Sequence, residues 1–264
     1  MVKKNRSLRI LIGSYLLIMF GLPLFALINH ANNATSTEFF QKAFNPIALS
    51  AYWVTLSTAF TAAIINGFFG LLVAWILVRF EFKGKKFIDA TIDLPFALPT
   101  AVAGLTITTV YSDQTILGSF FNHLGIEILF TRTGVGLAMV FVSFPFVVRS
   151  VQPILQELQQ EIEEASWSLG ASSIETFFKV IFPAVFPSLI TGMTLAFSRA
   201  MGEYGSIVIV ASNIPFRDLV ASVLIFQSLE QYDKMGATVI GTVVLMISLI
   251  LLFTINALQN WQKL

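Results

Sequence analysis

The chain has 264 residues, of which 56% are hydrophobic and 12% are charged, with a net charge of +1 and no cysteine. Because soluble domains usually carry about a quarter charged residues, this composition excludes an ordinary soluble domain. The near-neutral charge gives no indication of a nucleic-acid partner, and the lack of cysteine excludes disulfides and thiolate chemistry. The composition therefore predicts an all-α integral membrane protein whose outer surface contacts membrane lipid.

Six apolar segments predict six transmembrane helices, since a hydrocarbon core of about 30 Å requires about 20 apolar residues per helix. The third segment contains Pro95 and Pro99, and Pro145 predicts a kink in the fourth. In chain order the segments are Leu8–Ile28, Thr55–Val78, Leu94–Val110, Val135–Val148, Val180–Met201 and Val239–Leu258.

The first segment follows a basic stretch with four Lys or Arg residues before position 10. Two interpretations are open for it, a retained anchor helix and a cleaved signal peptide. Its apolar part is long and no small-residue cleavage pattern follows closely, which favours the anchor.

The distribution of positive charge predicts the orientation, because cytoplasmic loops carry an excess of Lys and Arg. If the N-terminus is cytoplasmic, the outer segments hold only Lys42, Arg132, Arg217 and Lys234. The inner segments then hold Lys3, Lys4, Arg6, Arg9, Arg79, Lys83, Lys85, Lys86, Arg149, Lys179 and Lys263. Both termini and the connection between the fourth and fifth segments are therefore predicted in the cytoplasm.

The outer connections are too short for a separate domain. Residues 30–50 are polar and predict a loop. Ile116–Phe121 predicts a short helix at the membrane interface. Leu219–Phe226 is expected to re-enter the membrane edge or to pack over the bundle, because irregular backbone exposed to lipid is unfavourable.

The connection between the fourth and fifth segments predicts two short helices. The first would cover Leu155–Gly170, with Glu161 and Glu164 on its outer faces. Its inward stripe would be the apolar residues at three- and four-residue spacing, Leu155, Leu158, Ile162, Ala165 and Leu169. This pattern fits both a solvated connector and a docking element for a partner.

A glycine-centred turn should join the two helices. Gly170 is suited to end the first helix, and Ser173 is suited to cap the second. The apolar residues of the second helix are expected to turn inward, namely Phe177, Phe178, Val180 and Ile181. Pro183 and Pro187 then shape the start of the fifth segment.

One spaced motif in this connection resembles a known family. Glu164-Ala165-Ser166, three residues, Gly170, nine residues and Val180-Ile181-Phe182-Pro183 resemble the EAA loop of ABC-importer permeases. Ser166, Val180 and Phe182 depart from the family pattern by small or apolar exchanges. The resemblance implies a coupling helix that docks on a cytoplasmic ATPase, with Glu164, Ala165, Ser166, Gly170 and Pro183 as the coupling residues.

Three further stretches resemble sulfate/thiosulfate and molybdate permeases. They are 93–104 (DLPFALPTAVAG), 201–206 (MGEYGS) and 211–215 (ASNIP), and the last two resemble the sulfate branch most closely. The resemblance implies an importer of sulfate or thiosulfate, with a molybdate or tungstate permease as the alternative. It also implies an anchor and outer loop at 1–50, a transmembrane domain at 51–258 with its coupling loop at 155–183, and a cytoplasmic tail at 259–264.

A pair of charged residues at the end of the fifth segment is a candidate for a translocation pathway. Arg199 and Glu203 are four residues apart, so they share a helix face and are able to pair. Two interpretations are open, a pair that faces a dianion pathway and a pair that only locks helices together. The candidate pathway residues are Pro95, Pro99, Thr100, Arg199, Glu203, Tyr204 and Gly205. Asp93 is interpreted as an interfacial charge rather than a transport residue.

Catalytic motifs are missing from the sequence. It contains no G-x-x-x-x-G-K-[ST] stretch, no H-E-x-x-H and no Cys/His metal spacing, and no catalytic or metal-ligating residue is assigned. ATP and Mg²⁺ are therefore expected at a partner ATPase. A transporter driven by an ion gradient is the alternative of a different class.

The resemblance also implies partners and a location. The partners would be cytoplasmic ABC ATPase subunits, a second related permease subunit and an extracytoplasmic sulfate-binding protein. A heterodimer of permeases is implied, with a homodimer as the alternative. The membrane would be a bacterial inner membrane, with a plastid inner membrane as the other possibility.

Overall fold

The computed structural model describes residues 6–32 and 34–261, and all regular structure in these ranges is helical. Lys3, Lys4 and Lys263, which entered the orientation prediction, lie outside the described residues, as do residues 262–264 of the tail. The helices are α1 (Arg6–Leu16), α2 (Leu22–Ala31), α3 (Ser36–Ala43), α4 (Pro46–Arg79), α5 (Lys85–Ile92), α6 (Leu94–Ala97), α7 (Thr100–Val110), α8 (Ile116–His123), α9 (Arg132–Glu157), α10 (Gln160–Ser168), α11 (Ser173–Thr176), α12 (Phe182–Met201), α13 (Ile207–Val210), α14 (Ala221–Glu230) and α15 (Lys234–Trp261).

Five continuous helical stretches in this part of the chain are long and apolar enough to cross a membrane. They correspond to the first, second, fourth, fifth and sixth predicted segments. The stretches are Leu8–Ala31, Pro46–Arg79, Arg132–Glu157, Ser173–Met201 and Lys234–Thr254.

The third predicted segment is not one helix. It is divided into α6 and α7, and Leu98 and Pro99 between them have extended backbone conformations. Proline lacks the N–H that would continue the helix, and it disfavours helical conformation at the residue before it. The 11 residues of α7 extend for about 16 Å, roughly half of a hydrocarbon core. The prolines of the third segment therefore interrupt it, and α6 and α7 together take the place of a single helix.

The polar segment after α2 is also more ordered than expected. Residues 30–50 were predicted as loop, but they contain α3 and the first turn of α4. Asn45 caps α4 by accepting a hydrogen bond from the Ile47 backbone N–H at 2.9 Å, and Pro46 occupies the first turn, where no N–H is needed. Because of this cap, α4 begins at Pro46, nine residues before the predicted start at Thr55.

Two π-helical turns precede prolines by the same spacing. Leu17–Gly21 is followed by Pro23, and Phe177–Ile181 is followed by Pro183. In each case the residue before the proline bonds five residues back, from Leu22 to Leu17 and from Phe182 to Phe177. The wider turn accommodates the missing proline N–H, so each helix continues through the proline.

The centre of the molecule is formed by α4, α9 and α12, which pack against one another. Val147 of α9 lies where the three helices meet. A Cβ atom on Gly70 of α4 would lie 2.9 Å from the Val147 Cβ, and one on Gly192 of α12 would lie 2.9 Å from the Val147 Cα. Such close approach between membrane helices requires glycine at the contact.

The connections that were predicted on the outer side cover one end of this bundle. Residues 219–221 and Val223 are buried in the core, so the Leu219–Phe226 stretch packs over the bundle, as one of the two expectations had it. α14 packs against α15 and α4. The predicted interfacial piece at Ile116 is a helix, α8.

An arginine at the opposite end joins α5 and α6 to α9. The Arg149 side chain donates to both carboxylate oxygens of Asp93, at 2.8 and 2.7 Å, and to the Asp89 carboxylate at 2.7 Å. It also donates to the Asp89 carbonyl at 2.8 Å. The structure therefore gives Asp93, interpreted as an interfacial charge, a defined ion-pair partner.

This cluster predicts a pH-dependent stability. The hydrogen bond from Arg149 holds the pKa of Asp89 below its ordinary value. The ion pair therefore contributes its full stability when the pH is above the ordinary pKa of an aspartate. This contribution is lost as the pH falls through the lowered pKa. Thermal unfolding in detergent should show the stability decreasing below about pH 4. Asp89→Asn should lower the free energy of unfolding at neutral pH by up to about 1 kcal/mol and should flatten this acid dependence. Glu38→Gln, at an exposed position of α3, is the control and should keep the acid dependence of the parent. If Asp89→Asn also keeps the parent's acid dependence, the pH effect does not come from Asp89.

Candidate functional site

The connection between α9 and α12 begins later than predicted. α9 continues to Glu157, Leu158 and Gln159 are extended, and a separate helix α10 starts at Gln160. The predicted single helix over Leu155–Gly170 is therefore wrong at its start, and Leu155 belongs to α9, where it is fully buried. The break lets α10 leave the direction of α9.

Gly170 ends α10 as predicted. Its φ is +90°, its N–H donates to the Trp167 carbonyl at 2.9 Å, and the Ala171 N–H donates to the Ser166 carbonyl at 3.1 Å. These two bonds form a Schellman motif, which a residue with a Cβ at this φ would strain. No neighbouring atom lies within 4 Å of the position of a Cβ on Gly170, so the turn is open to its surroundings.

The second helix is capped by Ser172 rather than by Ser173. The Ser172 hydroxyl accepts from the Glu175 N–H at 3.3 Å, and the Glu175 carboxylate accepts from the Ser172 N–H at 3.0 Å, which completes a capping box. From Ser173 the chain runs without interruption through the π-helical turn into α12. The turn at Gly170 is thus attached directly to a membrane-crossing helix.

The buried side of α10 is not the predicted one, although Glu161 and Glu164 are exposed as predicted. The predicted stripe is exposed at Ile162 and Ala165, and Leu169 is 90% exposed. The buried side is polar instead, because Glu163 lies against Arg79 and the Ser166 hydroxyl lies 3.0 Å from that of Thr176. Apolar periodicity locates a buried face only when the apolar side faces the chain's own core.

Three of the predicted coupling residues are exposed on this segment, namely Glu164, Ala165 and Gly170. Ser166 is partly buried, and Pro183 is exposed in the first turn of α12. Large apolar side chains surround the turn, with Trp167, Leu169 and Ile174 all exposed. In the second helix Phe178 is also exposed, against the prediction that it turns inward, whereas Ile181 is buried. An exposed apolar surface with a polar rim is typical of a protein interaction site.

Arg199, in the last turn of α12, and Glu203, two residues beyond the end of that helix, form the ion pair that their spacing predicted. An Arg199 guanidinium nitrogen lies 2.8 Å from the Glu203 carboxylate, and Glu203 is 1% exposed while Arg199 is 33% exposed. The second oxygen of Glu203 accepts from the N–H and the hydroxyl of Ser206, both at 2.9 Å. The carboxylate is thus fully satisfied, and Arg199 is the member that keeps contact with the surroundings.

The broken third segment packs against the turn that follows Glu203. A Cβ atom on Gly104 would lie 2.7 Å from the Ser206 carbonyl oxygen, and a Cβ on Gly205 would overlap Thr100. Thr100, Glu203 and Gly205 of the predicted pathway set are therefore brought together, and Pro99 adjoins them. The Tyr204 ring packs at a tilt against that of Phe226, with ring centroids 5.0 Å apart. Pro95 lies in α6, which packs against α9.

The close approach at Gly104 predicts a specific instability. The methyl group of Gly104→Ala would lie 2.8 Å from the Ser206 Cα, and backbone atoms cannot rotate away as a side chain can. We expect the variant to lose about 1–3 kcal/mol of stability and to lose the contact between α7 and the Glu203 turn. Thermal unfolding of Gly136→Ala, where no atom lies within 4 Å, is the matched control. Equal stability of the two variants would contradict the packing described.

Sequence reasoning missed three residues of this region. Arg79 and Glu163 form a buried ion pair with side chains 9% and 10% exposed. Asp218 is fully buried and accepts from the N–H and hydroxyl of Ser212, both at 2.7 Å, and from the Ile214 N–H at 3.0 Å. Asp218 thereby orders the loop that follows α13.

Comparison with known proteins identifies what this arrangement resembles. Residues 66–262 match the family described as "Binding-protein-dependent transport system inner membrane component". A Chlorokybus atmophyticus protein named "Probable sulfate transport system permease protein cysT" is 61% identical over 95% of this chain and 88% of its own length. A Synechocystis sp. protein named "Sulfate transport system permease protein CysT" is 56% identical over 94% of this chain and 87% of its own length.

Solved structures show the same fold at low sequence identity. A structure titled "Crystal structure of a bacterial ABC transporter involved in the import of the acidic polysaccharide alginate" superposes with a TM-score of 0.77 at 14% identity. The match covers 96% of this chain and 94% of that chain. The inward-facing MetNI methionine ABC transporter superposes with a TM-score of 0.59 at 20% identity, over 81% of this chain and 93% of that chain.

Proposed function

The chain belongs to the family of inner membrane components of binding-protein-dependent transport systems, and from this premise we propose that it is the permease subunit of an ATP-driven sulfate importer. The observation that carries the proposal is the match to relatives named sulfate transport permeases, at 61% and 56% identity over nearly the whole chain. The fold agrees, since ABC transporter structures superpose over most of the chain. Thiosulfate is the second anion proposed as substrate.

We further propose that the segment 155–183 is the coupling element and that it docks on a cytoplasmic ATPase subunit. The exposed Gly170 turn, the apolar residues around it and its direct continuation into α12 support this role. ATP and Mg²⁺ would be bound by the ATPase subunits. This chain would convert their closure into movement of its membrane helices.

The proposed arrangement in the membrane has six crossings and both termini in the cytoplasm. The five long helices supply five crossings, and α6 with α7 supplies the sixth as a broken helix. A broken segment at membrane depth is tolerated where it is buried in protein or lines a cavity, and α7 packs on the Glu203 turn. The membrane would be a bacterial inner membrane or a plastid inner membrane.

The remaining partners are proposed from the family. A second related permease subunit would complete the pathway, as a heterodimer or as a homodimer, and an extracytoplasmic sulfate-binding protein would deliver the anion. Arg199 and Glu203, with Thr100, Tyr204 and Gly205 beside them, would line the pathway near the broken helix. Pro95 and Pro99 would set the position of the break.

Uptake by vesicles that contain the whole complex tests this function. Labelled sulfate should accumulate when ATP is supplied and the ion gradient is collapsed by an ionophore. Uptake that stops with the ionophore and ignores ATP depletion would identify a gradient-driven transporter instead. Labelled molybdate, measured in parallel in a strain that lacks this chain, separates the molybdate alternative from sulfate.

A further inference from the structure

The end of α4 contacts the proposed coupling element through two long side chains, Arg79 and Trp75. Arg79 is the last residue of α4, and one of its guanidinium nitrogens lies 2.6 Å from the Glu163 carboxylate of α10. The same nitrogen donates to the Leu158 carbonyl at 3.1 Å, where α9 has just ended. One side chain therefore joins the ends of two crossing helices to α10.

The ion pair is largely buried. Both side chains are about nine-tenths buried, and they border a cavity of about 300 Å³ with Trp75, Phe80 and Gln160. A buried charge whose partner is removed is left uncompensated, so the pair holds α10 firmly in one position. The exposed pair of Lys179 and Glu175 in the same segment lacks this property.

A second contact ties the other arm of the Gly170 turn to the same helix. Trp75, one turn before Arg79, packs on Phe177 with ring centroids 4.7 Å apart. Phe177 begins the π-helical turn that leads into α12. Both arms of the turn are thus anchored on the last turns of α4.

We propose that Arg79 is a positioning residue that makes α10 and the end of α4 move as one rigid body. A push on the coupling element then reaches the second crossing helix through Arg79, in addition to the fifth through α11 and α12. The proposal rests on the proposed docking of an ATPase at this segment. It assigns a role to Arg79 and Glu163 that the EAA-like motif does not include.

Charge variants in the assembled complex test the role. Glu163→Gln should leave the complex assembled and should lower the sulfate transported per ATP hydrolysed by about tenfold, a size typical of coupling between sites. The double variant Arg79→Glu with Glu163→Arg exchanges the two charges and should restore most of the sulfate transported per ATP hydrolysed. Glu161→Gln makes the same chemical change at an exposed position of α10 and should have no effect. The proposal would be overturned if Glu163→Gln transported as much sulfate per ATP hydrolysed as the parent. It would also be overturned if transport fell only in proportion to the amount of assembled complex.

Crosslinking provides a test that needs no charge change. Because the chain has no native cysteine, Phe80→Cys and Gln160→Cys introduce two unique thiols that border the same cavity. If α10 and α4 move together, a short thiol crosslinker between them should leave transport at the level of the single-cysteine variants. Loss of transport on crosslinking would show that the two helices move apart, against the proposal.

Failure of the underlying docking proposal gives a different result. The ATPase subunits would then stay bound when the turn is disrupted by Gly170→Pro. If Gly170→Pro retains the ATPase, both proposals are overturned. If Gly170→Pro loses the ATPase but Glu163→Gln transports as much sulfate per ATP as the parent, only the role of Arg79 is overturned.

Discussion

Gly170→Pro should separate the permease from its ATPase while leaving it inserted in the membrane. Proline fixes φ near −65°, whereas Gly170 has a φ of +90° and donates its N–H to the Trp167 carbonyl. The substitution therefore removes both the left-handed residue and one bond of the Schellman motif. We expect sulfate transport to fall by about a hundredfold, near the upper end of the range for coupling between sites.

The chain contains a matched control for this variant. Gly125 ends α8 with a φ of +72°, and the same pair of bonds runs from Gly125 to Asn122 and from Ile126 to Phe121. Its surroundings are also open, with no atom within 4 Å of an added Cβ. Gly125→Pro should disturb its own loop by a similar amount and should still retain the ATPase.

Co-purification of the ATPase subunits with the tagged permease measures the difference. Gly170→Ala, which strains the turn without removing the N–H, should give an intermediate loss. Glu164→Arg reverses an exposed charge of α10 and should weaken binding without changing the turn. If Gly170→Pro protein binds the ATPase and transports as the parent does, this segment is not the docking element.

Arg199→Ala should reduce both stability and transport, and the two effects are separable. Glu203 is 1% exposed, so removal of Arg199 leaves a buried carboxylate without its counter-charge. Breaking a buried pair in this way costs about 3–5 kcal/mol. A loss of transport in the single variant therefore does not distinguish a pathway residue from a structural one.

The double variant Arg199→Ala with Glu203→Gln makes the distinction. Glutamine keeps an oxygen that accepts from the Ser206 N–H and hydroxyl, but it carries no charge that needs Arg199. Stability, measured by thermal unfolding, should return close to that of the parent. If Arg199 contacts the anion, transport should stay about tenfold or more below the parent, the size expected for one lost charge-assisted hydrogen bond. Transport that recovers together with stability would show that the pair is only structural.

Local signals in the sequence predicted much of the architecture. Long apolar runs correspond to the five continuous crossing helices, and the turn at Gly170 follows from a glycine after a helical pattern. The four-residue spacing of Arg199 and Glu203 predicted their ion pair. Each of these features depends on residues that are close in the chain, so composition and spacing are sufficient.

The tertiary structure decided which side of α10 is buried, and it decided the partners of Arg79 and Arg149. Arg79 reaches Glu163, and Arg149 reaches Asp89 and Asp93, only because helix packing brings distant parts of the chain together. In α10 the apolar Ile162 and Ala165 face outward while Glu163 faces inward, so periodicity pointed to the wrong side. A stripe of apolar residues indicates that a surface is to be covered, but only the packed structure shows whether the chain covers it itself or leaves it for a partner.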